Sequence, residues 1–143
     1  MNFTRRRLGL LVPALAAAST ARAQDKKMVT SKVFKYEDLP AKPNGQNTGR
    51  AVFNGATHLD YPIELHLTEL GPGQAPHPPH QHVHEEVLML QSGVLDMTIG
   101  GETTRITPGS VVYAASNEQH GWRNPGSAPA QYFVFALGPK ASG

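Results

Sequence analysis

Four histidines fall within eight residues in the stretch Pro76-His77-Pro78-Pro79-His80-Gln81-His82-Val83-His84-Glu85-Glu86, and His120 follows well downstream. Imidazole is the commonest side-chain ligand for metal ions, and a carboxylate completes many such sets. His80 and His82 are two apart, so on an extended chain they point to one face. Glu86 opens the apolar run Val87-Leu88-Met89-Leu90. The expectation is one metal ion held by His80, His82, Glu86 and His120. Three imidazoles and a carboxylate, with no cysteine anywhere in the chain, suit manganese, iron, nickel, copper or zinc.

The neighbouring residues divide by position. His77 and His84 belong to the cluster but fall in segments expected to be loop, as supporting or entrance residues. His58 and His66 are expected at the surface. His66 shares a strand face with Glu64 and Thr68, which would line a pocket only in the alternative arrangement. Glu85 alternates away from Glu86 and should be solvated, and Tyr113 and Arg123 carry no assigned role. By alternation with the ligands, Leu88, Leu90, Met97, Trp122, Phe133 and Phe135 either fill the core or set the size of a substrate cavity. The pocket expectation rests on Trp122, Met97, Phe133 and Phe135. Trp122 shares a face with His120, which makes it the foremost of them.

The elements that carry these residues read as strands. Ile63, Leu65 and Leu67 alternate with Glu64, His66 and Thr68, a period of two. Gly71-Pro72-Gly73 ends that strand, and the Pro-rich run to Pro79 excludes helix. Strands are expected over 86–91, 94–99, 102–106, 111–114, 120–124 and 131–137. Gly100-Gly101 is a two-residue hairpin signal, and Ser92-Gly93, Pro108-Gly109 and Asn117 mark further turns. Ala51–Phe53 is expected as a short strand ending at the turn dipeptide Asn54-Gly55. Many short strands between turns argue an all-β sandwich or barrel. No nucleophile elbow, phosphate loop, coiled coil or nucleic-acid motif is present.

The spacing His80-x-His82-x3-Glu86-x6-Gly93, followed by His120-x3-Asn124, resembles the two motifs of the cupin superfamily. The resemblance covers about residues 45–137 and implies a jelly-roll barrel of two antiparallel sheets in a single domain. It implies the same ligands, His80, His82, Glu86 and His120, and a small single-domain cupin. Where the second motif usually has Pro-x-Gly before its His, this chain has Ala115-Ser116-Asn117. Asn tolerates the left-handed backbone that the glycine would supply. The resemblance also implies that Glu86 can act as a catalytic base.

Residues 1–23 combine a basic start, a short apolar run from Leu8 to Ala18 and the small-x-small end Ala21-Arg22-Ala23. These are the parts of a secretory signal cleaved after Ala23. The run is too short to span a membrane. Thr4-Arg5-Arg6-Arg7-Leu8 resembles the twin-arginine export motif. Four of the 13 basic residues leave with the signal and none of the 11 acidic ones. Nine basic against eleven acidic residues remain, a net charge of −2, so the basic character of the full chain is no evidence for nucleic-acid binding. The expected organisation is a signal over 1–23, a flexible arm over 24–44, the cupin domain over 45–138 and a tail over 139–143. The protein is expected in the periplasm or outside the cell, with no membrane attachment after cleavage, as a homodimer.

Two function classes follow. One is a small metal-dependent enzyme, dioxygenase-like or an isomerase or lyase, acting on a small oxygen-bearing molecule. The other is a non-catalytic protein that binds a metal or small ligand. Export in the folded state would favour manganese or iron over copper, nickel or zinc.

Overall fold

A computed structural model describes residues 27–139; the expected signal over 1–23 and nearly all of the expected tail lie outside them. Among the described residues the helical content is one 3-10 turn, Tyr36–Asp38. The nine strands are β1 (Ala41–Asn44), β2 (Asn47–Ala56), β3 (Pro62–Leu70), β4 (Glu85–Ser92), β5 (Leu95–Ile99), β6 (Glu102–Ile106), β7 (Val111–Ala114), β8 (His120–Arg123) and β9 (Ala130–Leu137). They form a six-stranded sheet, β1-β2-β3-β9-β4-β7, and a three-stranded sheet, β6-β5-β8, with every strand pair antiparallel. The turn chemistry explains the boundaries. Gly100 and Gly101 take φ of 55° and 88°, as a two-residue hairpin requires, and Asn117 takes 60°, the left-handed conformation expected of it.

Register fixes which residues face inward. Along β9, Ala130, Tyr132, Val134 and Ala136 are buried, and they stand opposite Leu88 and Leu90 of β4 through Val134 and Tyr132. All of these but Ala136 pack with Leu70, Leu95, Met97 and Trp122 into the apolar core. Glu86, opposite Ala136, begins the next row toward the open end of the barrel. The apolar core therefore fills one end of the barrel and the ionisable groups line the other.

Three expectations are corrected. Phe133 and Phe135 do not line a central pocket. They sit on the outer face of β9, where Phe135 meets Phe53 edge to face at 6.2 Å and Phe133 faces a groove of Phe34, Leu39, Leu65 and Leu67. The expected arm is not loose over its described part: Met28 bridges Ala56, Leu39 is buried, and β1 pairs with β2, so the sheet begins at Ala41. Asn54-Gly55 is not a turn but the interior of the long strand β2. Gly55 is needed there because a Cβ would run into the Lys27 carbonyl oxygen and Val29.

Asn124 closes the fold beneath the site. It is fully buried, and its amide nitrogen donates to Leu70 O at 3.0 Å and Ala128 O at 2.8 Å, while its Oδ1 accepts from Gly126 N at 2.8 Å. Asn124→Ala would leave one buried and two part-buried backbone groups without their side-chain partner, at about 1–3 kcal/mol for each left unsatisfied. Partial relaxation should hold the net loss to about 2–4 kcal/mol. Urea denaturation checks this, and a loss under about 1 kcal/mol would contradict it.

Candidate metal centre

The histidines converge by a route that strand alternation does not describe. His80 and His82 are not on a regular strand. The segment 73–80 runs beside β8 instead, with reciprocal bonds from His80 N to His120 O (2.9 Å) and from His120 N to His80 O (2.8 Å). Gly121 makes this approach possible, since a Cβ there would stand 3.0–3.2 Å from Pro79. His82 is held from the other side, where Asn117 N donates to its carbonyl at 2.7 Å. Asn117, in its left-handed conformation, thus ties the two ligand segments together.

The ring centroids of His80, His82 and His120 lie 4.7–4.9 Å apart in every pairing. His82 Nδ1 lies 2.7 Å from His84 O, and His120 Nδ1 lies 2.8 Å from Glu118 O. A carbonyl only accepts, so both Nδ1 atoms carry a proton, and it is Nε2 of each neutral ring that would present a lone pair to a metal. Those two Nε2 atoms, with His80 Nδ1, are buried and have no hydrogen-bond partner. Glu86 reaches the same point: its Oε1 is 3.5 Å from His82 Nε2 and its Oε2 is 3.5 Å from His120 Nε2. Buried polar atoms without partners are rare and costly. Here they fit one cation, whose ligands would be His80, His82, His120 and Glu86. His82 and His120 are each oriented by a backbone carbonyl at Nδ1, as metal-ligating imidazoles commonly are.

Burial lowers the pKa of His80, with His77, His120 and His82 acting in the same direction and Glu86 opposing. The neutral, metal-competent imidazole is thereby favoured at neutral pH. The other two cluster histidines are closer than loop positions suggest. His84 stacks on His82 at 3.5 Å, and its Nε2 lies 3.3 Å from Glu86 Oε1. His82, His84 and Glu86 therefore form a second group able to hold a cation. His77 lies edge-on to His80 at 4.1 Å and to Trp122 at 5.4 Å.

Of the expected pocket residues, Trp122 is retained. It stacks at 6.4 Å beside His120. The cavity of about 770 Å³ that it lines with His77 and the Pro-rich wall is shared with Asp96, Thr98, Thr103 and Arg123 and is lined by none of His80, His82, Glu86 and His120. Met97, paired with Trp122 across β5 and β8, belongs to the core and borders a separate groove with Ile99, Thr104 and Val112. Tyr132 closes the floor under Trp122, edge to face at 5.6 Å. Burial pushes its phenol up to about 12, with Trp122 and Thr68 beside the oxygen pulling the other way. It therefore remains a neutral donor at any working pH. Glu85 does face outward, where its hydrogen bond to Tyr113 raises the phenol's pKa.

Sequence reasoning placed His66 at the surface, and register corrects it. Glu64, His66 and Thr68 stand opposite Ala136, Val134 and Tyr132, the inward face of β9. The apolar side of β3 is the one covered from outside, by Phe34, Tyr36 and Leu39. The shared face of Glu64, His66 and Thr68 was the available signal.

Residues 66–136 match the family profile described as Cupin domain. No curated protein matches the chain by sequence. Among solved structures, the polyketide cyclase RemF from Streptomyces resistomycificus is similar with a TM-score of 0.63 at 20% identity, covering 79% of this chain and 83% of that one. A sugar phosphate isomerase from a cupin superfamily, from Silicibacter pomeroyi, gives 0.63 at 15% identity, with 76% of each chain covered. The Cupin_2 domain of an XRE family transcriptional regulator from Enterobacter cloacae gives 0.56 at 24% identity, over 66% of this chain and 98% of that one. The fold is that of a single-domain cupin jelly roll. The matched segment, the shared fold and the His/Glu spacing together support the cupin superfamily for this chain.

Proposed function

We propose that this chain is an exported, metal-dependent cupin enzyme acting on a small oxygen-bearing organic molecule. One observation carries the reading: three buried imidazole nitrogens without hydrogen-bond partners converge with the Glu86 carboxylate. A divalent transition metal bound there would polarise an oxygen ligand of the substrate. Glu86 would either hold the metal or take a proton as base. Its carboxylate is already steered by His82, His84 and His120, which favours a single orientation. Trp122 and His77 would exclude water from the apolar side of the bound molecule.

Elemental analysis of protein purified from its native compartment is expected to find one transition-metal ion per chain. That material is expected to turn over a member of a panel of catechols, flavonols and diketones with oxygen uptake, or to isomerise or cleave a related compound. Absence of metal would sink the reading. Tight retention of a small ligand with no turnover would favour the non-catalytic alternative, which the likeness to a regulator's domain supports. The homodimer belongs to the same proposal. Val111, Tyr113 and Met89 are exposed together on the outer face of β4 and the edge strand β7, which offers an apolar pairing surface. No nucleic-acid or membrane partner is part of the proposal.

A further inference from the structure

We propose that the cavity between the Pro-rich segment and the outer face of β5 and β8 is a second binding site, for a small aromatic carboxylate, with Arg123 holding the carboxylate group. The site stands apart from the metal centre and does not rest on the metal reading.

Register builds its floor. Leu95, Met97 and Trp122 belong to the apolar core, so the alternate residues Asp96, Thr98, Gly121 and Arg123 face outward, with Thr103 of β6 beside Thr98. The segment 75–79 overhangs this face. Gly121 is buried although it faces outward, because Pro79 lies against it, where a Cβ would stand 3.0–3.2 Å away. Floor and overhang enclose the cavity of about 770 Å³. Small-ligand sites usually hold about 300–1,000 Å³ and pair an apolar lining with a few placed polar groups.

The two walls offer opposite chemistry. Pro76, Pro78 and Pro79 have no backbone N–H, so the overhang presents ring carbons and donates nothing there. His77 joins them, its Nδ1 3.1 Å from Pro78 O and its ring edge-on to Trp122 at 5.4 Å. Proline and imidazole rings pack best on the face or edge of another ring. The donors come from the floor. Arg105 meets both oxygens of Asp96, at 2.8 and 3.2 Å. That hydrogen bond is the main cause lowering the pKa of Asp96, and the charge of Arg123 adds to it. One carboxylate between two guanidiniums leaves one positive charge in excess. Arg123 stands opposite Asp96 across the strand pair, yet among the described residues its guanidinium makes no hydrogen bond and no ion pair. A guanidinium holds a carboxylate through two parallel bonds. Thr98 and Thr103 share one bond at 2.8 Å, so one hydroxyl hydrogen of the pair is left for a ligand.

Benzoate and benzamide share a ring and differ in charge. Calorimetry on the unaltered protein is expected to show benzoate binding about tenfold or more tightly, as a charged acceptor should. Arg123→Gln should bring the two within about twofold, with the melting temperature unchanged, and Arg123→Lys, which keeps the charge without the paired donors, should fall between. Cyclohexanecarboxylate, charged but not aromatic, should bind more weakly than benzoate. Chelator-treated protein and Glu86→Gln should both keep the benzoate affinity of the unaltered protein, since no ligand of the metal lines this cavity. Equal affinities for benzoate and benzamide, or a preference that survives Arg123→Gln, would overturn the proposal. Tighter binding of cyclohexanecarboxylate would overturn the aromatic assignment. Loss of benzoate on removing the metal would place its carboxylate at the metal centre instead and end the second site.

Discussion

His80→Ala, His82→Ala and His120→Ala are each expected to lose most of the bound metal, a fall in affinity of roughly 100-fold or more. That exceeds the ~10–100-fold typical of supporting residues around a metal. The physical reason is that each contributes one of three buried nitrogens with no other partner. A metal held a thousandfold above its Kd stabilises the fold by about 4 kcal/mol, and a 100-fold weaker site leaves about 1.4 kcal/mol. The melting temperature with and without metal therefore reads the loss directly. His58→Ala should leave metal content unchanged. His84→Ala is the discriminating case, because His84 approaches the same Glu86 oxygen as His82, at 3.3 Å against 3.5 Å. If His84 only steers Glu86, its loss weakens the metal by less than any of the three. If His84→Ala empties the site while His80→Ala and His120→Ala do not, the ion sits between His82, His84 and Glu86.

The His80-x-His82-x3-Glu86 cluster was legible because it depends on few residues at short spacings; the structure groups His80 and His82 with the distant His120, and Glu86 with His82 and His84. The strands 102–106 and 111–114 were legible in full from their glycine and proline turns. What alternation does not reveal is which face of a strand turns inward when both are covered. β3 has an apolar side, Leu65 and Leu67, and a polar side, Glu64, His66 and Thr68. The apolar side lies under Phe34, Tyr36 and Leu39, from a segment with no period of its own to announce its role. The polar side was left for the barrel interior, next to the site. The same inversion moved Phe133 and Phe135 outward. Asn54-Gly55 misled for a related reason. A glycine demanded by close backbone approach reads the same as one demanded by a turn, and only the position of Lys27 separates them.

Changing Arg5 and Arg6 together to lysine is expected to abolish export, leaving the protein in the cytoplasm with its signal attached. Lysine keeps the positive charge and the apolar run, so an ordinary secretory signal would tolerate the change. A twin-arginine signal would not, and Thr4-Arg5-Arg6-Arg7-Leu8 resembles one. The consequence reaches the metal. Twin-arginine export carries proteins already folded, and a cupin folded in the cytoplasm takes its ion there. A His/Glu site left open among copper and zinc ions would take those ahead of manganese or iron, by the Irving–Williams order. In the folded chain the ligand segments are closed over one another: His80 is bonded to His120 and His82 to Asn117 through backbone groups. A site closed in that way retains a weaker-binding ion. Native exported material is therefore expected to hold manganese or iron. Immunoblotting of cytoplasmic and exported fractions tests the first part, and normal export of the double-lysine variant would end the twin-arginine reading. Elemental analysis of the exported protein tests the second, and copper or zinc in it would remove the reason for preferring manganese or iron.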